Sequence, residues 1–295
     1  MSEPDTISLL APAKVNLRLR ILSREDSGFH NLETIFCAVS LADTIRIVRG
    51  APGIELLVDG AVETGPTEQN LVMKAARRFY QEFGQPAEIR IELTKRIPSG
   101  AGLGGGSSDA ATTLLALNAL HDRPFTAEEL LQWGSDLGSD VPFFLCSSPL
   151  ALAWGRGERL LSLPPLPARH VLIAYPGAPL STRDAFARFA ESRGDGYPAL
   201  AGAMPLSRLS SWDGIAGLAV NDFELFAMER IPKLRYAHAA MRRAGAFVAL
   251  LAGSGSSMFG IFNSADQRQV AAWEIEEMGL QVWSADTLSG EPKPG

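Results

Sequence analysis

A chain of 295 residues, 46% hydrophobic and 20% charged, has the composition of a folded globular protein with room for two domains, and is neither disordered nor fibrous. Its net charge of −6 and pI near 5.4 exclude a general attraction to nucleic acid or anionic membrane, so an anionic ligand must be met by local cations. Two cysteines beside apolar neighbours, Cys37 and Cys146, read as buried thiols in a reducing compartment, four scattered histidines offer no metal-ligand spacing, and an acidic start without any bilayer-length apolar run leads us to expect a cytoplasmic protein.

After a short polar leader, Ala11 to Ile21 alternates strictly. Val15, Leu17, Leu19 and Ile21 share the face expected to be buried, and Lys14, Asn16, Arg18 and Arg20 share the other. For Arg18 and Arg20 a solvated cationic edge is a sufficient reading. Ser27 to Thr34 reads as a loop carrying Gly28-Phe29-His30, followed by strands at Ala42–Val48 and Ile54–Val58. Thr67 to Asn70 opens an amphipathic helix reaching about Phe83, with Asn70 as a plausible N-cap, and Glu88–Thr94 is a strand followed at once by Lys95.

Next comes Pro98-Ser99-Gly100-Ala101-Gly102-Leu103-Gly104-Gly105-Gly106-Ser107-Ser108-Asp109, running straight into an apolar helix that ends near Leu120. Five glycines in seven positions let a backbone reach φ > 0 and approach a ligand closely. Ser107, Ser108 and Asp109 look like an N-cap region, which would aim free N–H groups and the positive end of the helix dipole back at the loop. That combination is an anion site suited to nucleotide phosphate. A Walker A loop fails, because its lysine position is Gly106, and the G-x-G-x-x-G spacing of Gly100, Gly102 and Gly105 lacks the strand and acidic residue that dinucleotide sites place after the helix.

Thr126 to Glu129 forms a capping box for a helix ending at Gly138. Asp140 follows among apolar residues, where an isolated Asp would serve as another N-cap. Strands at Ala151–Trp154 and Glu158–Leu163 form a tight hairpin through Gly155-Arg156-Gly157, and Pro164 to Pro167 is the expected boundary between domains 1–163 and 168–295. The second half reads as strand (His170–Tyr175), helix (Thr182–Ala190), a polar Gly/Ser/Pro stretch, helices from Asp222 and over Lys233–Ala244, strands Phe247–Leu251 and Ser257–Phe262, helix Asp266–Met278 and strand Leu280–Trp283. The order suggests a ferredoxin-like layer. Thr182 and Phe186 stand one helical turn apart, and Gly253 to Ser257 is a glycine-rich turn between two strands.

The loop Pro98–Ser108 followed by Asp-Ala-Ala resembles the phosphate loop of the GHMP kinases, the family of galactokinase and of homoserine, mevalonate and phosphomevalonate kinases. Pro-Ala-Lys14-x-Asn16-Leu, Gly28-Phe29-His30, the triple glycine before Ser-Ser, and Gly138-Ser-Asp140-Val-Pro-Phe are similar to the branch of that family whose acceptor carries a cytidine diphosphate group. Five motifs stand in the family's order over about residues 11 to 262. The resemblance implies an α+β, two-domain GHMP kinase fold, with a nucleotide-binding N-terminal domain, a ferredoxin-like C-terminal domain and the active site between them. It implies transfer of the γ-phosphoryl of ATP, with Mg²⁺ expected, to the C2 hydroxyl of 4-diphosphocytidyl-2-C-methyl-D-erythritol.

Carried over residue by residue, it implies Lys14 and Asp140 as catalytic and Pro98–Ser108 around the phosphates, with Ser107 or Ser108 near the metal. Asn70 and Lys95 fall near the nucleotide. Asn16 falls by the acceptor, Phe29 and Phe186 on the two faces of cytosine, His30 at its edge, and Thr182 on the substrate. Phe29 stands where the branch usually has Tyr, which keeps the stacking face and loses a phenol. Trp154 to Glu158 recurs in the family too, although a hairpin explains it. The expected partner is a small cytidine-diphosphate molecule, with no nucleic acid or membrane, and the chain is expected as monomer or homodimer. A GHMP kinase for another small alcohol, a dinucleotide oxidoreductase and a non-catalytic nucleotide-binding module are the alternatives.

Overall fold

A computed structural model describes residues 6–26, 28–50, 52–60, 66–193 and 204–290. The leader, Ser27, residues 194–203 of the polar stretch and the last five residues of the tail lie outside them. β1 (Thr6–Arg24) and β2 (His30–Arg49) are long antiparallel partners. His30–Thr34, expected as loop, instead opens β2. There Leu32 and Thr34 pair with Ile21 and Leu19 on one side and with β5 (Leu150–Gly155) on the other, and such two-sided pairing outweighs local turn signals. β3 (Gly53–Asp59) runs parallel to β4 (Glu88–Thr94), which pairs with the far half of β2, while β6 (Arg159–Ser162) completes a hairpin with β5. The two-residue β8 (Val220–Asn221) comes back from the second half to pair with β1.

That return corrects the reading of Arg18 and Arg20. β1 is an interior strand, so neither arginine is a solvated edge residue. Arg18 pairs with Glu33 at 2.6 Å and donates to the Leu218 carbonyl at 3.0 Å, and Arg20 meets Asp222 at 3.4 Å. The register of β1 on β2 slips by one residue at Leu17, just after Lys14 and Asn16, a bulge of the kind that re-aims side chains beside sites.

Helices α1 (Leu71–Phe83), α2 (Gly105–Leu120), α3 (Ala127–Leu137) and α4 (Val141–Leu145) cover one face of this sheet. Val72, Ala75, Ala76 and Phe79 form the buried stripe of α1 and pack with Ile45, Ile47, Ile91 and Leu114. Asn70 caps α1 through Oδ1 and the Val72 N–H at 2.9 Å, and Thr126 and Glu129 close the expected capping box on α3. α2 begins two residues earlier than expected. Its N-cap is Gly104 in the left-handed region, with no side-chain cap, so Ser107, Ser108 and Asp109 lie inside the helix instead of capping it.

The chain leaves the first sheet through Pro164–Pro167 and enters the second, ordered β11 (Gln281–Asp286), β7 (His170–Tyr175), β10 (Met258–Phe262), β9 (Val248–Leu251). With helices α5 (Thr182–Arg193), α6 (Trp212–Ala216), α7 (Glu224–Arg230), α8 (Pro232–Arg243) and α9 (Ala265–Glu277), the antiparallel strands give the ferredoxin-like order with extra helices inserted. α7 starts at Glu224, two residues after the expected Asp222, because the Asp222 carboxylate is spent on the Ile21 N–H at 2.8 Å and on Arg20. α6 and β8 had no signal in the sequence.

Alternation in the second sheet divides two cores. Val171, Ile173, Tyr175, Val248, Leu250, Phe259 and Ile261 face β1 and β2, meeting Ala13, Val15, Leu17, Ile35 and Cys37. Leu172, Ala174, Ala249, Leu251, Met258 and Phe262 face α7, α8 and α9. The sheet-on-sheet core thus joins both halves of the chain. Burial pushes the Cys37 thiol up to about 12, whereas Cys146, expected buried, is only partly so.

Candidate active site

The site is built where the loop before α2 meets β1 and the β9–β10 turn. Gly102 (φ +82°) passes so close to the turn that a Cβ would lie 2.0 Å from the Ala252 carbonyl oxygen. Gly104 (φ +71°) would place one 3.0 Å from Lys14 Cγ. Two backbone bonds and one from a side-chain amide lock these segments. Lys14 N–H donates to Leu103 O at 2.9 Å, Ser257 N–H to Ala101 O at 3.0 Å, and Asn221 Nδ2 to Gly253 O at 2.8 Å. Gly253 to Ser257 is therefore both the strand-connecting turn and the neighbour of the phosphate loop.

A cavity of about 340 Å³ runs along Pro98–Ser107, reaching Asn70 and Lys95. The first turn of a helix leaves its N–H groups without intrahelical partners, and α2 opens onto this cavity. Ser108 N–H is already taken by Gly104 O at 2.9 Å and its side chain is fully buried, so of the two serines Ser107 is the one on the cavity wall. The charge of Lys95 is spent within the protein, on Asp43 and on Asp109 at 2.7 Å. Burial alone would lower the Lys95 pKa, but Asp109 and Asp43 outweigh it and hold the ammonium raised. Asp109 is pushed up to about 7, by burial first, with Lys95 pulling the other way. Asn70 lines the same cavity while its side-chain oxygen caps α1.

Beyond Gly100, Gly102 and Gly104 a second cavity of about 330 Å³ holds Lys14, Asn16, Thr34, Asp140 and Thr182. Lys14, 3% exposed, donates to Asn16 Oδ1 at 2.8 Å and stands 3.3 Å from Asp140 Oδ2. Asp140 precedes α4 but makes no side-chain cap, so the bland capping reading fails and its carboxylate faces Lys14 instead. Asn16 Oδ1 also accepts from Gly253 N–H at 2.9 Å, and its Nδ2 donates to Thr34 Oγ1 at 2.8 Å, whose hydroxyl donates to Arg18 O at 2.6 Å. Asn16 thus orients Lys14 and ties β1 to the turn.

A third, wider cavity of about 1140 Å³ adjoins the second through Leu32, Ser139, Arg156, Thr182 and Phe186. Phe29 is 55% exposed here, His30 stacks on Phe186 at 4.8 Å and 22°, and Phe186 meets Phe223 edge-on. Burial, then the charge of Arg24, holds the His30 imidazole below its ordinary range. Thr182 shares a hydrogen bond with Ser254 at 2.8 Å. The residues singled out in the sequence are brought to one connected trough. Sequence reading missed Thr34, Ser139, Phe223, Ser254 and the orientation of Arg156. Thr34 was hidden by the loop assignment, and the others reach the trough only through long-range packing.

Two family descriptions match, GHMP kinases N terminal domain over residues 70–148 and GHMP kinases C terminal over 203–277. The 4-diphosphocytidyl-2-C-methyl-D-erythritol kinase of Geobacter sp. (strain M21) is 38% identical over 273 residues, 92% of this chain and 95% of that one. That of Solibacter usitatus (strain Ellin6076) is 40% identical over 268 residues, 89% and 83% of the two chains. A crystal structure of a 4-(cytidine 5'-diphospho)-2C-methyl-D-erythritol kinase superposes with a TM-score of 0.81 at 34% identity, over 96% of this chain and 100% of that one. Homoserine kinase from Cytophaga hutchinsonii, with a TM-score of 0.74 at 19% identity over 100% of this chain and 98% of that one, shares the fold. The chain therefore belongs to the GHMP kinases and, within them, to the 4-diphosphocytidyl-2-C-methyl-D-erythritol kinase family.

Proposed function

We propose that this chain transfers the γ-phosphoryl of ATP to the C2 hydroxyl of 4-diphosphocytidyl-2-C-methyl-D-erythritol, giving the 2-phosphate and ADP in the non-mevalonate route to isoprenoids. The observation that carries the reading is the Lys14–Asp140 pair standing between a glycine-loop cavity and an aromatic pocket in one trough. ATP lies along Pro98–Ser107 with its phosphates on the first turn of α2 and its adenosine toward Asn70. Cytosine lies at Phe29, His30 and Phe186, a stack contributing roughly 1–3 kcal/mol. The methylerythritol reaches Asp140 past Thr182.

A tertiary alcohol is a poor nucleophile at neutral pH. Asp140 accepts the C2 proton as the oxygen attacks the γ-phosphorus, and ADP departs with the bridging oxygen. Lys14, 3.3 Å from the Asp140 carboxylate, neutralises charge growing on the transferred group, and Asn16 holds Lys14 in place. Mg²⁺ takes most of its ligands from phosphate and water, so a cavity along the glycine loop with a serine hydroxyl on its wall fits it. Ser107 on the cavity wall would hold it, and when bound it offsets phosphate charge. In this reading residues 1–163 hold the nucleotide and 168–295 close over the acceptor. The reading is of a cytoplasmic enzyme acting on a small molecule, as monomer or homodimer; no helix among the described residues is long and apolar enough to cross a membrane.

The test is ADP release with Mg-ATP against the diphosphocytidyl methylerythritol substrate, mevalonate, homoserine and galactose. Release with the cytidyl compound alone is expected. Release with another alcohol would discard the cytosine pocket and keep the Asp140 chemistry, and release with none would point to a different acceptor or a binding module.

A further inference from the structure

The proposed acceptor carries a diphosphate between its base and its reacting hydroxyl, so that diphosphate must cross from the wide cavity to the Lys14–Asp140 cavity. In a chain of net charge −6 it needs a cation on that path. The wide cavity is lined by Arg24, Arg156 and Arg183, and the reaction cavity by Lys14 and Arg156. Among the described residues Arg156 is the one cation that lines both.

Arg156 is presented by the β5–β6 hairpin, whose turn is fixed from within. The Glu158 carboxylate accepts the Arg156 N–H at 2.7 Å, and Gly155 and Gly157 adopt φ of +75° and +111°. The position of the residue is therefore set, while its side chain, 44% exposed, is held only by weak contacts. Its guanidinium carbon lies 3.9 Å from the Phe29 ring centroid, and Nη2 meets Glu25 Oε2 at 2.7 Å. A cation–π contact at an exposed site and an exposed ion pair are both weak, since water screens the charge and competes for it. Arg156 therefore covers one face of Phe29, in an arrangement easily exchanged.

We propose that Arg156 is a substrate-exchanged latch. With no substrate it rests on Phe29 and Glu25; with substrate its guanidinium moves to the diphosphate, uncovering the Phe29 face for the base. A bidentate guanidinium–phosphate contact is stronger than an exposed carboxylate pair, which gives the exchange its direction. The proposal rests on the cytidyl reading of the pocket and gives Arg156 two opposing effects. It competes with a base that lacks phosphate and assists one that carries it.

The test compares binding of cytidine and of cytidine 5'-diphosphate to the whole chain by calorimetry, in wild type, Arg156→Gln and Glu25→Gln. Expected for Arg156→Gln is cytidine binding as tight as wild type or tighter, with diphosphate binding weakened about tenfold or more. Expected for Glu25→Gln is tighter diphosphate binding, since the resting partner is weakened. In turnover, Arg156→Gln raises the KM of the cytidyl substrate and leaves that of ATP in place, with partial rescue by Arg156→Lys. Equal loss of both ligands in Arg156→Gln would make the residue a structural support of the hairpin and end the proposal, as would no change in either. If wild type binds neither ligand, the cytidyl reading itself fails and this one with it.

Discussion

Replacing Asp109 by Asn tests the electrostatics of the nucleotide cavity. Asp109 and Asp43 share one ammonium, Lys95, in a buried setting, and Asp109 Oδ1 has no hydrogen-bond partner. Burial first, and the nearby Asp43 charge, push Asp109 from its ordinary 3.8 to about 7 against the pull of Lys95. A carboxyl raised in the folded state favours folding most below about pH 4 and loses that contribution as pH climbs to about 7. Taken by itself, the raised carboxyl would lose roughly 3 kcal/mol between pH 5 and pH 8; because Lys95 holds on to the charged form as it appears, we expect on the order of 2 kcal/mol. Asn keeps an oxygen for Lys95 and does not ionise. The Tm of Asp109→Asn relative to wild type therefore rises between pH 5 and pH 8, by roughly 3–6 °C, in thermal unfolding across a buffer series. A difference that stays flat, or shrinks as pH rises, would refute the argument that burial dominates at this carboxyl.

Asp140→Asn is expected to lower turnover by about 10²-fold or more while ATP binding, followed by calorimetry, stays nearly intact; undiminished turnover would remove Asp140 from the mechanism. Phe186→Ala should raise the KM of the cytidyl substrate about tenfold without moving that of ATP, and a change in both would mean that Phe186 acts through its Phe223 packing. Gly102→Ala, whose Cβ would lie 2.0 Å from the Ala252 oxygen at φ +82°, should abolish ATP affinity or folding, and a stable, ATP-binding variant would show that the loop can yield there. Asn16→Ala leaves the Gly253 N–H and Lys14 Nζ without their shared acceptor, and a kcat loss that cytidine binding does not share is expected, with equal loss of both as the contrary result.

Local signals carried much of the molecule. Alternation in Ala11–Ile21, the capping box of Thr126 and Glu129, the Asn70 cap and the His170–Tyr175 run each arise from interactions spanning a few residues, and each stands where its pattern put it. So do the loop Pro98–Ser107 as a lining of a cavity and the one-turn spacing of Thr182 and Phe186 at the head of α5. Errors fell where a distant partner overrode a local preference. His30–Thr34 is extended because β5 pairs with it, and Arg18 is enclosed because β8 crosses from the other half.

Chain order alone set most of the element types, the glycine loop and the residues of the five motifs, because backbone conformation and solvent partition are largely decided by near neighbours. Which of those residues would act on one another was decided only in the folded chain. Lys95 is bound by Asp43, 52 residues away, so its charge serves the protein interior. Lys14 meets Asp140, and Arg156 covers Phe29, through contacts between strands and loops more than a hundred residues apart. A carboxylate's partner depends on where sheets pack, and packing is a property of the whole core shared by both halves, which no window of sequence contains.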